Sequence, residues 1–178
     1  TPVIGFFARM CEAKGLGALV EAFCLLKQRG RVKDLKLRAG GTVTPQDEAY
    51  LKGLRAKLEA QGVLQDVEFC PNVDLEGKRA FFKGLTVFSA PASYGESFGL
   101  YVIEALACGV PVVQPRHAAF PELIEATGGG VLCEPGDVRS LADALEVLLL
   151  DPHQAHALGR AGRQKVQERF SARHMGRD

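Results

Sequence analysis

Short apolar runs alternate with longer amphipathic ones from one end of this 178-residue chain to the other. That alternation is the pattern of βα units wound around a parallel sheet. A strand covered on both faces is apolar throughout, whereas its covering helix is apolar along one stripe. Strands are expected near Val3–Phe7, Leu35–Ala39, Val67–Cys70, Thr86–Ala90, Val110–Gln114 and Gly130–Cys133. Between them Leu16, Leu19, Val20, Phe23 and Leu26 fall at helical spacing. Val138, Leu141, Ala142, Leu145, Leu148 and Leu149 do the same behind an Asp137 cap. The charged, alanine-rich stretch from Pro45 to Gln61 reads as a solvent-facing helix. Pro152 to Phe170 reads as a closing helix that packs on the sheet or returns toward another domain. The fold class is therefore α/β: a Rossmann-like open parallel sheet with helices on both faces.

With 47% hydrophobic and 24% charged residues, the chain can bury one core, and a single domain is expected over residues 1–170 with a frayed tail at 171–178. A net charge of +1 argues against a nucleic-acid stripe or a basic membrane surface, so any phosphate recognition must be local. The five cysteines show no CxxC and no His at metal spacing, which points to reduced thiols and a cytoplasmic setting rather than zinc or disulfides. No apolar run approaches the roughly 18 to 20 residues of a membrane span. Val3–Phe7 follows Thr1-Pro2 directly, so no leader is expected ahead of the fold, and the chain is expected to be a piece of a longer protein.

In an open parallel sheet, ligands bind beyond the carboxyl ends of the strands, where strand order reverses. The loop after the first strand, ARMCEAKG, lacks the GxGxxG of a dinucleotide site. It offers Arg9 and Lys14 instead, two cations able to converge on one anionic group.

A second loop, SYGESFGLYVIE at residues 93–104, leads into a helix whose first turn leaves N–H groups unpaired at the crevice. The residues around Glu104 are apolar nearly all round, so this helix is expected to be buried. A carboxylate there needs either a cationic or backbone partner or the hydroxyls of a ligand. Eight residues of helical rise place Glu96 and Glu104 at most about 12 Å apart. That span suits a nucleoside diphosphate sugar, with Glu104 on the ribose, the helix mouth on the diphosphate and Glu96 on the sugar. It exceeds the roughly 5 to 9.5 Å of a glycosidase pair. Ser97 is not set in GxSxG, so covalent acyl chemistry is not expected.

PASYGESFGLYVIEALACGVPVV resembles the signature of retaining GT-B glycosyltransferases of the family 4 and glycogen-synthase-like type, in which two Glu residues stand eight apart in the donor domain. IGFFARMCEAKGLGALVEAF, LRAGG and FPELIEATGGGVLCEPGD resemble further segments of that domain in the same order, covering about residues 3–150. The resemblance implies one half of a GT-B fold, with the N-terminal acceptor-binding domain outside this chain. It implies that Arg9 and Lys14 hold the donor diphosphate and act catalytically with Glu96, which contacts the transferred sugar. The backbone of Ser97, Phe98, Gly99 and Leu100 would cover sugar and phosphate, Glu104 would bind the ribose, and Pro71, Asn72 and Val73 would line the base. It implies a nucleoside diphosphate sugar as donor substrate, no cofactor and no metal.

Two departures stand out. Ala8 replaces the usual Gly before Arg9, and His117-Ala118-Ala119-Phe120 replaces a glycine-rich approach to Pro121-Glu122, which puts the sugar's identity in doubt. His117 reads as a loop side chain rather than a base. Alternatives from the same residues are a sugar-nucleotide epimerase of the same architecture and a non-catalytic sugar-nucleotide-binding module.

Overall fold

The computed structural model describes residues 1–93 and 99–169. Among them, six parallel strands form one sheet: β1 (Val3–Phe7), β2 (Lys36–Gly41), β3 (Val67–Pro71), β4 (Val87–Phe88), β5 (Val112–Pro115) and β6 (Gly130–Cys133). The helices are α1 (Leu16–Arg29), α2 (Glu48–Ala60), α3 (Leu75–Phe82), α4 (Leu100–Ala107), α5 (Phe120–Thr127), α6 (Val138–Leu150) and α7 (Pro152–Arg169). The strand order is β3-β2-β1-β4-β5-β6, so the chain winds outward through β2 and β3, then returns past β1 and winds the other way. Right-handed crossovers in opposite directions put the helices of the two halves on opposite faces. Accordingly α1 packs on α2 and α6, while α7 lies across α4 and α5. The order reverses between β1 and β4, which makes the loops following those two strands the place to look for a site.

The sequence dictates this locally. The apolar stripe of α1 is fully buried at Leu16, Leu19, Val20, Phe23 and Leu26. Asp137 caps α6 by accepting the Ser140 N–H at 3.0 Å, satisfying one donor left open at a helix start. Far from the crevice, Arg29 meets Asp143 at 2.7 Å and Arg31 meets the largely buried Glu146 at 2.9 Å, tying the end of α1 to α6.

β2 runs over Lys36–Gly41 rather than Leu35–Ala39 and β3 reaches Pro71, and four further differences from expectation have identifiable reasons. The fourth strand is only Val87–Phe88 rather than Thr86–Ala90, because the fully buried Gln114 side chain takes over the pairing of Ala90. Its Oε1 accepts the Ala90 N–H at 2.8 Å, and its Nε2 donates to the Ala90 carbonyl at 2.9 Å. β5 begins at Val112 rather than Val110, because the Val110 N–H closes α4 on the Ala105 carbonyl. The stretch from Pro45 opens as a 3-10 turn over Pro45–Asp47 before α2 starts at Glu48. Lastly, α4 buries Val102, Ala105 and Leu106 but leaves Leu100 57% exposed, so it has a covered face and an open one.

An aromatic cluster supports the open side. Phe7, at the end of β1, stacks edge-on to Phe81 of α3 at 5.0 Å and lies 5.7 Å from Phe82. Phe82 continues to Phe88, and Phe88 to Tyr101 of α4. Each such pair contributes about 0.5–1.5 kcal/mol beyond its buried area, enough to fix α3 and α4 against the switch point. Phe170 and the expected tail at 171–178 lie outside the described residues.

Candidate functional site

The loops after β1 and β4 are locked together by backbone geometry. Ser93 donates its N–H to the Ala13 carbonyl at 3.0 Å. Gly15 has φ +89, and a Cβ there would stand 2.1 Å from the Pro91 carbonyl oxygen, so no side chain fits where the two loops cross. Across the crevice, His117 Nε2 donates to the Ala92 carbonyl at 2.8 Å and the ring meets Phe120 edge-on. His117 is thus a clamp between the β5 and β4 loops. Ala118 beside it has φ 53, a left-handed conformation that a Gly would adopt without strain.

α4 starts from Gly99, which is buried with φ 67. Its first intrahelical bond runs from the Val102 N–H to the Gly99 carbonyl at 3.0 Å, leaving the Leu100 N–H without an intrahelical acceptor. Lys14 places its ammonium 5.6 Å from the centroid of the Tyr101 ring, one residue into the helix. Glu104, one turn further, meets the Lys78 ammonium of α3 at 2.5 Å, and both side chains are about one-third exposed. Lys78 itself lies over the Phe7 ring. The structure therefore places Lys14 beside the first turn of α4 and joins Glu104 of the same helix to Lys78 of α3.

Arg9 is engaged on the β2 side of β1. Its Nε and Nη2 donate to the two carboxylate oxygens of Asp47 at 3.2 and 3.1 Å. Those bonds hold the Asp47 carboxyl at about 2, well below the usual carboxylate value. Asn72 has φ 53, and its side chain is spent on Val43, accepting that residue's N–H at 3.0 Å and donating to its carbonyl at 3.2 Å. Only the backbone around Asn72 and the half-buried Val73 remains to line a ligand. Glu96, Ser97 and Phe98 lie outside the described residues.

Two partners escaped the sequence reading. Asp47 stands in a Thr44-x-x-Asp47 capping box, a signal legible in the chain, but its pairing with Arg9 spans 38 residues. Lys78 follows the Asp74 cap of α3 by four positions, and nothing local marks it as the partner of Glu104.

A cavity of about 580 Å³ opens on the other side of the β1 and β4 loops, between α1, Tyr50 and the stretch from Glu134 to Val138. Arg9, Lys14 and Glu104 do not line it, and its charged lining is Glu12, Glu21, Glu134 and Asp137 against Lys57. Tyr50 accepts the Gly17 N–H at 2.8 Å, which occupies one open donor of the α1 mouth. This acidic lining disfavours an anionic ligand in the cavity. Burial pushes the Cys133 thiol, also on the cavity wall, up to about 11, so it is no nucleophile at neutral pH. Among the described residues, no three His, Cys, Asp or Glu side chains gather to hold a metal. None of the described helices is long and apolar enough to cross a membrane.

Known proteins share this architecture and sequence. The chain is 35% identical over 162 residues to the D-inositol 3-phosphate glycosyltransferase of Pseudarthrobacter chlorophenolicus, covering 91% of this chain and 38% of that protein. It is 30% identical over 181 residues to the GDP-mannose-dependent alpha-(1-6)-phosphatidylinositol monomannoside mannosyltransferase of Mycolicibacterium smegmatis, covering 98% and 46%. It thus spans less than half the length of these relatives. The sucrose-phosphate synthase structure from Thermosynechococcus elongatus superposes with a TM-score of 0.84 at 28% identity over 99% of this chain and 44% of that one. Anabaena HepE in complex with UDP-glucose shares the fold with a TM-score of 0.87 at 21% identity, over 98% of this chain and 46% of that one. The open six-stranded parallel sheet is thus the Rossmann-like half of a GT-B architecture. The family model described as glycosyl transferases group 1 matches residues 1–165, and the chain belongs to that family.

Proposed function

We propose that this chain is the donor-binding half of a retaining, metal-independent glycosyltransferase of family 4 type. It would move a hexosyl group from a nucleoside diphosphate sugar to an acceptor hydroxyl bound mainly by a separate N-terminal domain. The observation that carries the reading is the start of α4 at the β1/β4 switch point, where Lys14 stands beside Tyr101 and Glu104 follows one turn along the helix. In this reading Lys14 and Arg9 neutralise the diphosphate as it leaves the sugar, and the Leu100 N–H adds a fixed dipole aimed at the same charge. Glu104 receives the ribose hydroxyls. Its pair with Lys78 stands at the surface with both side chains about one-third exposed, so hydroxyls can reach Glu104 and take over that contact. The backbone at Asn72 and Val73 faces the base. Glu96, Ser97 and Phe98 complete the sugar subsite, with Glu96 on the transferred ring.

The names of the relatives support a nucleotide sugar as donor, since one is GDP-mannose-dependent and a structural neighbour holds UDP-glucose. In the full-length protein Glu96→Ala is expected to lower turnover and Arg9→Ala to weaken donor binding. Calorimetric titration of UDP, GDP and their sugars into the chain, with NMR of the product anomer formed by the full-length protein, tests the reading. Binding of one nucleotide and a product that keeps the donor's anomeric configuration support it. No binding, or an epimerised free nucleotide sugar, would contradict it.

A further inference from the structure

We infer that Asp47 is a positioning residue for phosphate recognition, holding the Arg9 fork so that its remaining donors face the diphosphate; this rests on the donor-site reading above.

The geometry is built, not incidental. The chain leaves β2 through Gly41, whose φ is +127 and where a Cβ would stand 1.8 Å from the Ala8 carbonyl oxygen. Met10 N–H bonds the Thr42 carbonyl at 3.0 Å, so the loops after β1 and β2 run side by side. The 3-10 turn at Pro45–Asp47 then presents Asp47 to Arg9. Oδ2 accepts the Thr44 N–H at 2.9 Å, the Thr44 hydroxyl at 3.0 Å and Arg9 Nε at 3.2 Å; Oδ1 accepts Arg9 Nη2 at 3.1 Å. The Asp47 side chain is 5% exposed and the Arg9 side chain 46%. The anchor is therefore buried and fully satisfied, and the fork it holds is open to solvent.

A guanidinium has five N–H donors, and Asp47 takes two of them. Among the described residues none accepts from the other three, which lie in one fixed plane suited to a phosphate's oxygens. Two effects oppose each other when an anion arrives. Asp47 subtracts positive charge, but it stands behind the guanidinium, and the solvent-exposed fork lies between it and an arriving anion, so its repulsion is weak. It also removes the freedom a long side chain would lose on binding, worth about two- to tenfold in affinity. Preorganisation wins.

The test is a double-mutant cycle read by calorimetry, with UDP and GDP as probes on the native chain, R9Q, D47A and the double variant. D47A is expected to raise Kd about fivefold in the native background and to change it by less than about 1.5-fold in R9Q. D47N keeps an oxygen for Thr44 and is expected to raise Kd about threefold while circular dichroism shows the chain still folded at the assay temperature; if D47A fails to fold, the same cycle is read with D47N. An equal loss on both backgrounds, or no loss from either Asp47 variant while R9Q binds weakly, overturns this inference alone. An R9Q chain that binds like the native one, or a native chain that binds neither probe, overturns the donor-site reading and this inference with it.

Discussion

Gln114→Leu tests how the switch-point loop is held. Gln114 is fully buried, and its amide makes both bonds that a neighbouring strand would otherwise make to Ala90, at 2.8 and 2.9 Å. The register between β4 and β5 is limited to Phe88 opposite Val112, so on the β5 side Ala90 itself is held by the Gln114 amide. Leucine fills a similar volume but leaves the Ala90 N–H and carbonyl both unpaired in a dry interior. Each orphaned group costs about 1–3 kcal/mol, and burial of the extra apolar surface returns about 1–2 kcal/mol. Two such groups cost about 4 kcal/mol at mid-range and the apolar gain offsets about 1.5, so the expected loss centres on about 2.5 kcal/mol. For a chain of this length that lowers Tm by roughly 5–10 °C. Urea unfolding followed by circular dichroism would show a lower midpoint with an unchanged slope. A loss below about 1 kcal/mol would mean the Ala90 groups find other partners, and the account of the short fourth strand would be wrong.

Ala118→Gly should stabilise the chain. Relief of the left-handed strain is worth about 1–2 kcal/mol, and the extra freedom of an unfolded glycine returns about 0.4–1 kcal/mol, so a gain of about 0.5–1 kcal/mol is expected in the same urea assay. Asp47 sets an acid dependence. Its folded carboxyl titrates at about 2, below the unfolded value, so its contribution is full above the unfolded value and is lost as pH falls toward 2. Unfolding measured from pH 5 down to pH 2 should therefore fall less steeply for Asp47→Asn than for the native chain, and parallel curves would remove Asp47 from the acid response.

Much of the fold was legible because burial on two faces leaves an apolar run that few other structures explain. Val3–Phe7 and the α1 and α6 stripes are such cases, and Asp137 announced its helix by residue type alone. The misplaced strand ends have a common cause in partners distant along the chain. Nothing near Ala90 reveals that an amide 24 residues later replaces its strand, and nothing near Val110 shows its N–H turned back onto Ala105. The composition of α4 suggested burial all round, but a helix is covered only where a neighbour stands, and beside Leu100 none of the described elements does so fully. The site divides the same way. Glu104 was readable as a charge planted in an otherwise apolar helix and Lys14 as a loop cation just ahead of a glycine, whereas Lys78 and Asp47 sit among other charged residues and acquire meaning only through the pairs they form.

The most direct test of the central claim is to map the bound nucleotide by NMR, following backbone amide shifts as UDP or GDP is added to the chain. The account predicts the largest changes at Lys14, Gly99, Leu100, Tyr101 and Glu104, with Gly136, Val138 and Leu141 of the acidic cavity little affected. Changes centred on that cavity, with Leu100 to Glu104 unmoved, would contradict it.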